Sequence, residues 1–393
     1  MRAALPAWAE WRPAPTPYTL GVEEEVMLLV PGPWSLWQGS EYVMAALPPE
    51  LAARLGVETH ASALEIATGV HGTVAGAAAE LGALRAQLGA ELAGMGLAAA
   101  SAGTHPLTVW QETITSSAER YRLLYRSLRE LARREPTFSL HVHVGVATAE
   151  DAVRALGRIR EHLPLLLALS ANSPFWQGRD SGLASARAPL FATFPRAGIP
   201  RGFRSYRGYV RAVHGLIACG AIPEPTYVWW DARLQPRFGT LELRIMDAQI
   251  AVEDSAALVA LAQSMVRWAV EEEGPLPPVA GEPEMLAENR FIAARDGMDA
   301  LLIDRRGRRL VPARELLDQV VERCAPHAAA LGCADELRAA AGLAARTGAA
   351  RQREMAGRSA PLSGLVAALA AEFTAAPAAL GALEPALGSP PPR

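Results

Sequence analysis

Apolar and polar positions alternate along several stretches of the chain with the period of a strand that buries one face. Over 18–30, "YTLGVEEEVMLLV", the alternation runs into an aliphatic end and is closed by Pro31 and Gly32. A short strand is expected over 63–68, closed by Gly69, and another in the run that holds "HVHVG". "PTYVWWDARLQPRFGTLELRIMDAQ" reads as two strands around a Pro-Arg-Phe-Gly turn, and "AAASAGTHP" as strand then turn. Helical spacing takes over at 73–95, where Ala and Gly suggest close crossings. It returns at 119–134, 151–170 with a break at Pro164, 206–219, 254–272, and for most of the chain after 285. The stretch 172–200 is long, irregular and rich in Gly, Ser, Arg and Pro, the profile of a lid or binding loop. "GPLPPVAGEP" reads as a linker, and the Ala/Pro-rich tail 376–393 is expected to be disordered, leaving a single domain over 1–375. The pattern predicts an α+β fold with one chemical and one helix-covered sheet face.

The period of two then sorts the polar residues. Glu23 and Glu25 share a face with Gly21 and Met27, while Val22, Glu24 and Val26 take the other. His141 and His143 oppose Val142, Val144 and Val146; Glu242 and Arg244 oppose Leu241, Leu243 and Ile245. Glu65 is the charged residue of "ALEIAT", and Glu58 lies seven positions before it. A solvated sheet face accounts for any one of these, but a face skewed to Glu and His is unlike the usual mix of Thr, Ser, Lys and Gln. Carboxylates crowded on one surface repel, and divalent cations remove that cost. Oxygen ligands with an occasional imidazole suit Mg²⁺ or Mn²⁺.

Composition narrows the chemistry further. Half of the 393 residues are hydrophobic, enough for a sizeable core, and a net charge of -3 gives no electrostatic case for nucleic acid or an anionic membrane. There is no lysine, so all 38 basic residues are arginines, which excludes a P-loop lysine and a Schiff-base lysine. Any protein cation for a phosphate must come from residues such as Arg233, Arg237, Arg244 and Arg290. The three cysteines show no metal or redox spacing, the N-terminus lacks a signal-peptide core, and no stretch has the length of a membrane span. A cytoplasmic protein acting on small molecules is expected, with self-association left open.

The segments "GVEEE", "SAGTHP", "ERYR", "HVHVGV", "ANSPFWQGRDSGLASAR", "WWDARLQPRFGTLELRIMD" and "ENRFIAARDGMDA", in this order and spacing, closely resemble the carboxylate-amine ligase family related to glutamate-cysteine ligase type 2. The match runs from about residue 21 to residue 300. The resemblance implies a glutamine synthetase-like fold, an antiparallel sheet cupping ATP and divalent ions under helices. It implies Glu23 and Glu25 as metal ligands, with Glu65 and Glu58 from the second strand. In the H-x-H strand it favours His143 for a metal or nucleotide contact, with His141 beside it. Glu242 becomes a ligand, Arg244 a phosphate or substrate-carboxylate contact, and Asn289 with Arg290 a substrate or nucleotide contact. Phe138-Ser139-Leu140 departs from the family's Cys-Gly-Thr type run, so the acid and amine, glutamate and cysteine by analogy, stay open.

The implied chemistry is ATP-dependent activation of a carboxylate as an acyl phosphate, then displacement by an amine. Two rivals stand beside it. One is a metal-dependent hydrolase or Fe(II) oxygenase built on His141, His143 and one glutamate; the other is a binding protein that kept the fold and lost catalysis.

Overall fold

The computed structural model describes residues 4–134, 136–274, 282–359 and 361–375. The 376–393 tail and most of the stretch read as a linker lie outside them. An eight-stranded sheet organises the chain: β1 (Leu20–Val30), β2 (Ser35–Leu36), β3 (Leu55–Val57), β4 (Ala63–Ala67), β5 (Ala98–Ala100), β6 (Ser139–Gly145), β7 (Ala232–Gln235) and β8 (Thr240–Asp247). Its order is β7-β8-β6-β1-β4-β3, with β2 and β5 also paired to β1, and every pairing is antiparallel. The α+β architecture expected from the residue pattern is what the chain adopts.

One face is a hydrophobic floor for helices. Leu20, Val22, Val26 and Leu28 of β1 join Leu64, Ile66, Leu140, Val142, Val144, Leu241 and Leu243 in one core. Each such side chain contributes about 1.5–3 kcal/mol on burial. Helices α1 (Val74–Gly94), α2 (Glu119–Leu128), α3 (Ala149–Ile159), α4 (Leu163–Ser170), α5 (Tyr206–Ala218) and α6 (Val252–Glu271) follow the expected periodicities, with sharper ends. Thr73 caps α1 through its hydroxyl, which accepts from Gly76 N at 3.2 Å. The chain breaks between α3 and α4, and Pro164 sits in the first turn of α4, where its missing N–H costs nothing. The charged helix at 119 ends at Leu128, because Arg129 takes φ 57° and a 3-10 turn follows. After α7 (Pro283–Asp296) comes a hairpin, Leu301–Asp304 with Arg309–Pro312, which the helical spacing did not suggest.

Glu24 points into this core. It is fully buried and meets Arg85 of α1 in a two-pronged ion pair, Nε to Oε2 at 2.7 Å and Nη2 to Oε1 at 2.6 Å. The same guanidinium donates to the carbonyls of Ile250 and Gln249 and lies 5.0 Å from the Phe373 ring centroid.

The opposite face changes character along β1. Gly21, Glu23 and Glu25 line a polar cup, whereas Met27 and Leu29 pack into a second apolar cluster with Phe138, Phe175 and Leu369. That cluster closes one end of the cup. Among the described residues no helix is long and apolar enough to cross a membrane, and all three cysteines are free thiols.

Candidate active site

Strand register gathers the cup's functional groups. Glu23 sits opposite His141, Glu25 opposite Glu65, Glu242 opposite His143, and Arg233 opposite Glu242. Facing pairs on adjacent strands hold their Cβ atoms roughly 5 Å apart, so these staggered pairs bring groups from five strands together. Two groups of possible ligand atoms result, Glu23 with His141 and Glu242, and Glu25 with Glu65 and His141, each within 4.8 Å of one another. His141 belongs to both.

The environment of His141 fits a cation. Nδ1 lies 3.4 Å from Glu23 Oε2 and 3.8 Å from Glu65 Oε2, and Nη1 of Arg244 approaches it at 3.4 Å. On the other side of the ring, Nε2 lies 2.7 Å from Ser139 Oγ. Burial and then the charge of Arg244 push the imidazole down to about 4, so the ring is neutral at pH 7. Its Nδ1 therefore stands between two carboxylates and a guanidinium. A ligating histidine typically anchors its other ring nitrogen in this way. His143 differs: Nδ1 contacts Thr240 Oγ1 at 3.0 Å, and Nε2 lies 3.6 Å from Glu23 and 3.8 Å from Glu242. Burial opposes charging it, but Glu242 and Glu23 outweigh burial and raise its pKa. The geometry favours His141 as the ligand, and neither group takes both histidines.

The acids are tuned unequally. Burial alone would raise the Glu23 carboxyl, but His143 and His141 hold it well below the usual carboxylate range. Glu25, which accepts from Ser139 N at 2.7 Å, is raised because burial outweighs Arg187 and Arg244. Burial also opposes charge on Glu242, yet Arg233 and Arg244 keep it firmly ionised. Glu242 is fully buried; Arg233 reaches it at 2.6 and 3.2 Å, Gln235 at 2.8 Å, and Arg244 Nη1 directly.

A cavity of about 100 Å³ opens beside these groups, lined in part by Glu25, Glu58, His60, His141, Arg187 and Arg244. Glu58 thus borders the pocket but joins neither cation group. Arg187 and Arg244 each bring a buried Nε–H that lacks a partner among the described residues. Two unpaired guanidinium donors around one hollow suit an anion. Larger hollows of about 510 and 730 Å³ lie elsewhere and share no lining residue with this one.

The remaining predicted residues are placed apart. Arg233 stands behind Glu242 and spends Nη1 on the carbonyls of Thr226 and Val228. Arg290 pairs with Asp231 at 2.7 and 3.1 Å, and Asp231 borders the cavity. Asn289 is not brought to the cup: its amide is taken by the backbone of Ile303, accepting at 2.6 Å and donating at 2.9 Å. Helix α7 turns it toward the hairpin, a pairing no local pattern encodes.

Sequence reasoning missed Arg187 and Asp247. Arg187 begins a short helix, Arg187–Phe191, inside the stretch read as a loop, and is pinned by the carbonyls of Ile245 and Arg244, each at 3.0 Å. Asp247 is fully buried and accepts from Asn172 N at 2.9 Å, Ser173 Oγ at 2.7 Å and Ser185 Oγ at 3.0 Å. A Cβ on Gly103 would stand 2.7 Å from that carboxylate, which explains the glycine in "SAGTHP". The first half of 172–200 is therefore tethered to the end of β8, and the serines of "NSP" and "LASAR" were the available signal. Asp247→Asn, which keeps shape but removes charge, should cost about 1–3 kcal/mol and speed proteolytic cleavage within 172–200. Unchanged cleavage in limited proteolysis would refute the tether.

Comparison with known proteins gives the family and the fold. The model of glutamate-cysteine ligase family 2 matches residues 19–372. A relative from Rubrobacter xylanophilus named for glutamate–cysteine ligase 2-1 is 42% identical over 339 residues, 86% of this chain and 90% of its own. A relative from Jannaschia named for glutamate–cysteine ligase 2 is 37% identical over 86% of this chain and 90% of its own. The fold is shared with the glutamate–cysteine ligase of Francisella tularensis in complex with AMP, at a TM-score of 0.67 and 12% identity, covering 92% of this chain and 89% of that one. A bifunctional glutathione synthetase from Pasteurella multocida matches at a TM-score of 0.62 and 12% identity over 91% of this chain and 52% of its own. Matched by that family model over most of its length and by relatives above 30% identity, the chain belongs to glutamate-cysteine ligase family 2, a carboxylate-amine ligase family.

Proposed function

We propose that this protein joins a carboxylic acid to an amine at the expense of ATP, with the acyl phosphate as intermediate and Mg²⁺ or Mn²⁺ as the cation. The observation that carries the reading is the convergence on His141 of Glu23, Glu25, Glu65 and Glu242 beside two arginines with unpaired N–H groups. Carboxylates gathered around one imidazole fit a hard divalent ion, held by Glu23, His141 and Glu242 on one side and Glu25, Glu65 and His141 on the other. When bound, such ions neutralise phosphate charge and orient the oxygens.

The chain's own groups do the rest. Arg187 and Arg244 draw the acid's carboxylate or the phosphoryl oxygens into the 100 Å³ pocket. Arg233 and Gln235 hold the Glu242 side chain in place. One carboxylate oxygen attacks the terminal phosphorus and ADP departs. The amine nitrogen then attacks the acyl carbon, the bond to phosphate breaks, and phosphate leaves with the electron pair. One proton goes to solvent for each amide formed from a carboxylate and an ammonium ion. Two histidines on one cation would have favoured the hydrolase or oxygenase rival, and the two ligand groups share only His141.

The test is ADP release with Mg²⁺ and ATP across a panel of amino-acid pairs, with mass spectrometry of the product. Release that needs acid and amine together, and stops on chelation, is the expected result. Amide cleavage without nucleotide, or oxygen consumption, would overturn it.

A further inference from the structure

Beyond the 100 Å³ pocket lies a second hollow of about 230 Å³, and Thr137, Phe191 and Phe194 are walls to both. Leu131, Trp176 and Leu190 also line it. The rings of Phe191 and Phe194 meet edge to face at 5.2 Å, and Phe194 leans toward Trp229 at 6.2 Å. An aromatic wall thus leads outward from the carboxylates. Offset and edge-on ring contacts of this kind favour another ring.

Size and polarity select the guest. An apolar cavity of about 150 Å³ accommodates benzene, so this chamber has room for a ring and its linker. A cysteine side chain would leave most of the wall without contact atoms. Among the described residues Arg134 is the single charged one in its lining, whereas the inner pocket holds the two guanidinium groups whose Nε–H lacks a partner. The acid and phosphate therefore belong inside and the amine's side chain outside. Within the chamber wall, the indole N–H of Trp176 is buried without a partner among the described residues. A buried donor of this kind is costly unless a ligand oxygen reaches it.

Resting on the ligase reading above, we propose that this chamber takes the side chain of the amine substrate. That amine carries an aromatic ring with a phenolic oxygen, as in tyrosine or tyramine, rather than a small thiol.

Two assays separate this inference from the reading beneath it. Hydroxylamine, a small acceptor with no side chain, reports acyl transfer as hydroxamate whatever the chamber prefers. With the best acid from a panel of amino-acid carboxylates, kcat/KM is then measured for tyrosine, phenylalanine and cysteine. Tyrosine should exceed phenylalanine by about tenfold and cysteine by about a hundredfold. Trp176→Phe should bring the tyrosine-to-phenylalanine ratio close to one. Hydroxamate formation with cysteine equal or superior to both aromatic amines would overturn the aromatic assignment and leave the ligase standing. A ratio unchanged in Trp176→Phe would remove the phenolic contact. No hydroxamate and no ADP release with any pair would bring down both.

Discussion

Arg244→Gln is expected to slow ADP release by roughly 10³-fold or more, the scale on which an arginine stabilises phosphoryl-transfer charge. The fold should survive, because Glu242 keeps Arg233 at 2.6 and 3.2 Å and Gln235 at 2.8 Å when Arg244 is gone. The cost to stability is then on the order of 1–2 kcal/mol, one charged hydrogen bond partly replaced by the amide. Glu242→Gln differs in kind. It leaves two guanidinium groups beside a neutral amide in a buried place, and about 3–5 kcal/mol of stability should go with the activity. Paired denaturation curves and initial rates distinguish the two variants. An Arg244→Gln enzyme that keeps more than about a tenth of wild-type turnover would contradict the transition-state role.

Arg85→Met should destabilise the protein by about 3–5 kcal/mol, since it strands the Glu24 carboxylate in the core. Both partners are essentially unexposed, and the guanidinium donates four hydrogen bonds, two to its carboxylate partner and two to backbone carbonyls. Glu24 lies between Glu23 and Glu25, so the pair also fixes which way β1 presents its two cup acids. The double variant Glu24→Gln with Arg85→Met removes both charges and should recover at least about 1 kcal/mol relative to the sum of the single changes. Additive losses by urea denaturation, or a single loss below about 1 kcal/mol, would show that the pair is not a coupled unit.

Much of the cup was readable one strand at a time. Alternation alone puts Glu23 with Glu25, His141 with His143, and Glu242 with Arg244 on one face of their own strands, and strand pairing turns all three faces to the cup. The same rule put Glu24 on the aliphatic face, but nothing local announced Arg85, 61 positions away, as its partner. His143 and His141 are equivalent in the motif. They part company because Ser139 anchors one ring while Glu242 and Glu23, against burial, raise the pKa of the other. Asn289 and Arg290, adjacent in the chain, project from α7 to different neighbours, one to a hairpin and one to Asp231.

The sequence by itself determined where the strands that carry the cup lie and which residues share a face of each, because side-chain parity depends on nothing beyond the neighbouring peptide units. Register between strands, the ownership of each acid by a particular arginine, and the tether of 172–188 to Asp247 were decided by the tertiary structure. Those are contacts between residues tens to hundreds of positions apart, set by burial and charge compensation acting on the whole packed chain.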